Sequence, residues 1–209
     1  LAGQFLSCQA KIEAIALPNP TWANHRPIFE KAGLVVETYP YYSEERHGLD
    51  FDKLYAAVET MKQNTALLLH TVCHNPTGCD FSLQQWEALS QLMLKKKIFP
   101  LFDCAYQGFG DGIEKDRQPI AIFLNHGHEM AIAYSCSKNF SLYCQRVGAV
   151  YVVAKNAAVN RCVGSQVRRI IRSLYSNPPA HGARIVAEVL KDSALKTEWG
   201  HDLEKMRQR

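Results

Sequence analysis

Short apolar runs alternate with amphipathic stretches along the whole chain, and this alternation limits the fold more than any other feature. Runs of strand length fall at 13–17, 35–39, 66–72, 99–102, 130–134 and 149–153. Stretches with helical spacing fall at 25–32, 51–61, 82–94, 119–125, 157–173 and 181–191, with a last one from Leu195. Strands that alternate with helices imply right-handed crossovers, which lay helices on both faces of a mainly parallel sheet. The expected class is therefore α/β. Leu1 to Cys8 reads as the inside of a helix with no cap before it, so a natural start upstream is expected.

The 209 residues suit one domain with a core of useful size. A formal charge of +4, spread along the chain, points to neither nucleic acid nor a membrane and suits small anionic ligands. No apolar run approaches the ~20 residues that span a bilayer, and no signal segment opens the chain. Seven cysteines is an odd number, without the regular spacing of a disulfide framework. Free thiols in a reducing compartment, the cytoplasm, are expected.

In parallel sheets, ligands bind beyond the carboxyl ends of the strands, and the unusual residues of this chain fall there. Asn19-Pro20-Thr21-Trp22 follows the first run and His74-Asn75-Pro76-Thr77-Gly78 the third. Asp103-Cys104-Ala105-Tyr106 ends the fourth, and Ser135-Cys136-Ser137-Lys138-Asn139 ends the fifth. A lysine at a buried strand end is poorly solvated in its charged form, which favours a free amine as nucleophile or base. An isolated lysine more often reaches to solvent. Asp103, at the margin of a dry core, needs a cationic partner such as a protonated ring nitrogen. Tyr106 could donate its hydroxyl near the same ring; equally, the pair could be a helix cap and a core tyrosine. Asn75 sits in what could be a plain turn, although His70 and His74 add polarity that a turn does not require. Trp22 could stack on a flat ligand or lie in the core. Arg146 could fork onto a phosphate or be a surface cation.

Taken in order, Asn-Pro-Thr-Trp, His-Asn-Pro-Thr-Gly, Asp-x-Ala-Tyr-Gln-Gly-Phe, Ser-x-Ser-Lys-Asn-Phe, Arg-Val-Gly and Ser-Asn-Pro-Pro-Ala-x-Gly-Ala-Arg resemble the aspartate aminotransferase family, in the branch shared with aromatic-amino-acid aminotransferases. The resemblance covers almost the whole chain. It implies the large domain of a fold-type I pyridoxal-phosphate enzyme and pyridoxal 5'-phosphate as cofactor. Lys138 would bind the cofactor covalently and later move the substrate proton. Asp103 would keep the pyridine nitrogen protonated, and Tyr106 and Asn75 would hydrogen-bond the phenolic oxygen. Trp22 would stack on the ring, Ser135 and Arg146 would hold the phosphate, and His25 and His70 would lie just behind the ring. Arg172, four residues before Ser176-Asn177-Pro178-Pro179, matches an arginine that reaches into the neighbouring subunit to clamp the distal carboxylate of aspartate or glutamate. The implied partners are a second copy of the chain, in a homodimer with shared sites, and amino-acid and 2-oxo-acid substrates.

The chain departs from the family in three ways. Cys136 replaces the usual aromatic, and Cys144-Gln145 precede Arg146 where polar or acidic residues are commoner. Family members are also considerably longer. The resemblance therefore makes 1–209 a cofactor-binding large domain shortened at both ends, without the small domain, an upstream phosphate loop or a downstream arginine for the α-carboxylate. Two readings compete with an aspartate transaminase. One is an aromatic-amino-acid transaminase of the same family; the other is a cofactor-binding fragment without turnover. A metal site at His70, Cys73, His74 and Cys79 fits no standard zinc spacing, so no metal is expected.

Overall fold

The computed structural model describes all of residues Leu1–Arg209. In chain order the elements are α1 (Ala2–Cys8), β1 (Ala14–Asn19), α2 (His25–Lys31), β2 (Val35–Pro40), β3 (Tyr42–Ser43), β4 (Gly48–Leu49), α3 (Phe51–Thr60) and β5 (Thr65–His70). These are followed by α4 (Leu83–Lys96), β6 (Phe99–Cys104), α5 (Ile113–Asp116), α6 (Gln118–Asn125), β7 (Met130–Ser135) and β8 (Gly148–Val153). Three helices close the chain: α7 (Ala157–Leu174), α8 (His181–Lys191) and α9 (Ser193–Arg207).

Six strands form one sheet in the order β2-β1-β5-β6-β7-β8, parallel throughout except that β8 runs antiparallel to β7. The α/β expectation, a mainly parallel sheet flanked by helices, is met. Successive side chains along a strand point to opposite faces, so one run of sequence feeds two cores. Leu67 and Leu69 of β5, Phe102 of β6 and Ile132 of β7 join Leu54, Trp86, Met93 and Phe123 from α3, α4 and α6. Ala66 and Leu68, Leu101 and Ala131 point the other way, against Phe5, Leu6 and Phe29 of α1 and α2. Both layers are needed because a strand such as β5, buried at every position, has no solvent side.

Two topological features build the rim. After β2 the chain crosses back over β1 to start β5, so strand order reverses between β1 and β5 and leaves a crevice at their carboxyl ends. The antiparallel β7–β8 pair needs no crossover helix. Its connection stays at the carboxyl end of β7, which keeps Lys138 and Arg146 at the same edge of the sheet.

Several boundaries differ from the sequence reading. The run at 66–72 forms a strand only over Thr65–His70, and its ladder ends with His70 opposite Asp103. The last helix starts before Leu195, because the Asp192 carboxylate accepts the N–H groups of Ala194 and Leu195 and caps α9 at Ser193. The β3–β4 hairpin and α5 were not expected, since two and four residues are too few to show a period.

Candidate active site

Asp103 is the next-to-last residue of β6, and His25 of α2 meets its carboxylate. His25 opens α2 and is 4% exposed; its Nε2 lies 2.9 Å from Asp103 Oδ2. Its Nδ1 lies 2.8 Å from Thr21 Oγ1. An ionised carboxylate only accepts, so Nε2 carries the ring hydrogen and Thr21 donates to Nδ1. Burial alone would raise the Asp103 carboxyl. The His25 hydrogen bond and the fields of His70, His25 and Lys138 outweigh it, and the group is held below its ordinary range. Asp103 is 23% exposed at its side chain, with one oxygen engaged by His25, so a cationic ligand can still reach it.

His70 packs edge-on against His25, 5.3 Å between ring centroids. The Asn75 backbone N–H donates to His70 Nδ1 at 3.3 Å, which places the remaining hydrogen on Nε2. That Nε2 is buried without a partner. His74 lies 4.3 Å from His70, stacks on Tyr41 at 3.7 Å and pairs through Nδ1 with Thr77 Oγ1 at 2.8 Å. Burial pushes His70 down to about 4 and His74 down to about 3, so both are neutral at pH 7.

The cationic and hydroxyl groups lie on the same rim. Asn75 Nδ2 donates to the Tyr106 hydroxyl at 3.5 Å, and Lys138 Nζ sits 5.2 Å from the centre of the Tyr106 ring. Burial raises the Tyr106 hydroxyl and the negative field of Asp103 raises it further, so it remains a donor at neutral pH. Trp22 is 41% exposed and touches His25 edge-on at 5.2 Å, so one of its faces is open. An amine, a carboxylate held ionised, a donor pair and an exposed indole thus cluster on one rim. They fit a flat, cationic, carbonyl-bearing ring.

The phosphate and clamp candidates are less tightly built. Ser135 Oγ accepts the Ser137 N–H at 3.2 Å, and its own hydroxyl hydrogen is left to donate. Arg146 is exposed and spends Nη1 on the Tyr143 carbonyl at 2.9 Å. Arg172, in the last turn of α7, is exposed and its Nη1 donates to Ser176 Oγ. Within a single chain it does not join the rim set.

The four-residue metal set weighed above does not assemble. Cys79 Sγ donates to the Thr77 carbonyl at 3.6 Å, and burial pushes the Cys73 thiol up to about 11, away from the thiolate a metal requires. A different trio converges instead: donor atoms of His25, His70 and Asp103 lie within 4.8 Å of one another. Metal binding needs a lone pair from each imidazole, and His70 presents Nε2–H. Within the trio only His25 and Asp103 are hydrogen-bonded, and His70 packs beside them with its Nε2 unpaired. Thr21, which pairs with His25 from outside the trio, was given no role in the sequence reading; its signal was its position four residues before His25.

The family model for aminotransferase class I and II matches residues 1–209, and the chain belongs to that family. It is 44% identical over its whole length to aspartate aminotransferase 1 of Medicago sativa and to aspartate aminotransferase of Escherichia coli K12, covering 50% and 53% of those proteins. The chain thus spans about half the length of the curated relatives it matches. Among solved structures, the aromatic-amino-acid aminotransferase of Burkholderia pseudomallei, covalently bound to pyridoxal phosphate, superposes with a TM-score of 0.98 at 38% identity. That match covers 100% of this chain and 52% of the other.

The two depressed histidines define a pH window. In the unfolded chain each takes up a proton near 6.5, whereas in the native state His70 waits until about 4 and His74 until about 3. The unfolded state therefore binds more protons below 6.5, and stability falls with pH through that interval. At pH 5 each histidine contributes a loss of about 2 kcal/mol relative to pH 7. Asp103, shifted down, adds its own loss only below about pH 4. Urea unfolding at pH 7 and pH 5 checks this: the wild type should lose several kcal/mol and His74→Gln about 2 kcal/mol less of it. Equal losses in the two proteins would contradict the assignment.

Proposed function

We propose that the protein carrying this chain is a pyridoxal-phosphate-dependent aminotransferase that moves the amino group of aspartate or glutamate to a 2-oxo acid. One observation supports this above the others. The Lys138 amine, the ionised Asp103 carboxylate and the Asn75–Tyr106 pair share a single rim at the carboxyl ends of β5, β6 and β7.

When bound, the cofactor supplies an electron sink for the bonds to the substrate α-carbon. The residues of the chain divide the remaining work. Asp103, held ionised, would accept a hydrogen bond from the ring nitrogen and favour the proton there. His25 and Thr21 fix the orientation of that carboxylate. Asn75 and Tyr106 would donate to the phenolic oxygen, and Trp22 would offer an aromatic surface to the ring. Ser135 and Arg146 would hold the phosphate with a hydroxyl and a forked cation. Lys138 Nζ would hold the cofactor covalently, and as a free amine it would serve as the base that takes and returns the substrate α-proton.

Arg172 extends the reading to substrate class and to a partner. An exposed guanidinium at the end of a helix, within one chain, has no rim to serve. In a homodimer with shared sites it would close the site of the neighbouring copy and pair with a distal carboxylate. The likeness to the Burkholderia aromatic-amino-acid enzyme keeps an aromatic preference as the second reading.

Mixing the full-length protein with pyridoxal phosphate should give visible absorbance, and borohydride should fix the cofactor on one peptide containing Lys138. A label on any other lysine would overturn the reading. Arg172→Ala in the same protein should lower kcat/KM for aspartate and glutamate by roughly 30- to 5000-fold, the effect of losing about 2–5 kcal/mol of charge-paired contact. Phenylalanine should be affected far less. Unchanged dicarboxylate turnover would remove the clamp.

A further inference from the structure

One face of α9 is fastened to the loops that carry the rim. Trp199, Leu203 and Arg207 stand four residues apart, so they line a single side of the helix. Trp199 Nε1–H donates to the Asn139 backbone carbonyl at 2.7 Å, and its ring stacks on Phe140 at 4.4 Å with 13° between the planes. Leu203 is 1% exposed and packs so closely on Gly108 that a Cβ there would collide with it. Arg207 Nη1 donates to the Gly110 carbonyl at 3.2 Å. Asn139 and Phe140 directly follow Lys138, and Gly108 and Gly110 lie two and four residues after Tyr106.

The turn around Lys138 is otherwise held by its own neighbours and by the loop after β6. Cys136 N–H reaches the Val147 carbonyl at 3.0 Å, Ser137 N–H reaches Ser135 Oγ at 3.2 Å, and Ser141 N–H closes back on the Lys138 carbonyl at 2.9 Å. The Asn139 amide donates to the Gln107 carbonyl at 3.1 Å and to the Tyr134 hydroxyl at 2.8 Å. Only the indole contact ties this turn to an element 60 residues away. A buried carbonyl deprived of its donor seeks another partner, and the residue free to shift is the neighbour that carries the amine.

We infer that Trp199 is a positioning residue for Lys138, acting through the Asn139 carbonyl and coupling the seating of α9 to the direction of the lysine amine. The inference rests on the function proposed above. Its physical basis is that reacting atoms must be held within a fraction of an ångström, and a misplacement of about 1 Å costs up to ~100-fold in rate.

The test uses the full-length protein. Trp199→Phe keeps a ring to stack on Phe140 and removes the N–H donor; benzothienylalanine at 199 does the same with the shape of tryptophan intact, and serves if the phenylalanine variant folds poorly. Three changes are expected in either protein. Hydrogen exchange at the amides of 137–141, measured without cofactor, should become about tenfold faster or more. With cofactor bound, the midpoint of the visible absorbance titration with pH should move. The kcat for aspartate should fall about tenfold while KM changes little, as expected for a misdirected amine and not for weakened substrate binding. If exchange, titration midpoint and kcat all match the wild type, Trp199 is only a core residue and the inference falls. If wild-type protein takes no pyridoxal phosphate at Lys138, the proposed function falls with it, while the exchange measurement still decides whether the indole holds the turn.

Discussion

An ionised carboxylate at the edge of a dry core costs several kcal/mol unless something nearby compensates for lost water, and the hydrogen bond from His25 to Asp103 is the compensation on which this structure depends. It fixes more than one side chain. β1 and β6 are not neighbours in the sheet; β5 lies between them. For His25, after β1, to reach Asp103, at the end of β6, it must pass over the end of β5, where His70 stands edge-on to it. The reversal of strand order between β1 and β5 opens the crevice that makes this reach possible. Thr21 then sets the His25 tautomer, and the Asn75 N–H sets that of His70. A single charge thereby organises the ends of three strands.

Around that charge the remaining groups are arranged by different means. Asn75 and Tyr106 come from adjacent strand ends and meet directly. Lys138 depends on its connection remaining at the top of β7, a consequence of β8 running antiparallel. α9, though last in the chain, presses on the loops after β6 and β7 through one face and so belongs mechanically to the site. Helices on the two faces of the sheet contribute by burying β5 throughout and most of β6, which favours one register because a one-residue slip would exchange the two cores.

Much of this was legible in the sequence because the relevant signals are local. Six strands could be read from apolar runs, and residues just past the end of a parallel strand fall on one rim by topology alone. Asp103, Asn75, Tyr106 and Lys138 were found in that way, and the ordered motifs then named their family. What could not be read depends on distance in space. The indole of Trp199 meets a carbonyl 60 residues earlier, and no spacing rule announces such a pair. The short hairpin at Tyr42–Ser43 and Gly48–Leu49 carries no period. That His25 and His70 lie near Asp103 was legible only through the resemblance, and which of them hydrogen-bonds the carboxylate follows from ring orientation and tautomer, which a residue list does not contain. Arg172 was legible only through the motif beside it, since within one chain its guanidinium hydrogen-bonds only to Ser176.

The central claim is that Asp103 is held as an anion at the base of the site. Labelling aspartate carboxyl carbons with ¹³C and following the Asp103 resonance by NMR as pH is lowered tests it directly, with Asp103→Asn supplying the assignment. The account predicts a carboxylate that stays ionised to below about pH 3.9, the ordinary value for the side chain, or until the fold itself is lost. A resonance that titrates above that value in folded protein would show a neutral carboxyl at the position where the site requires a charge, and would contradict the account.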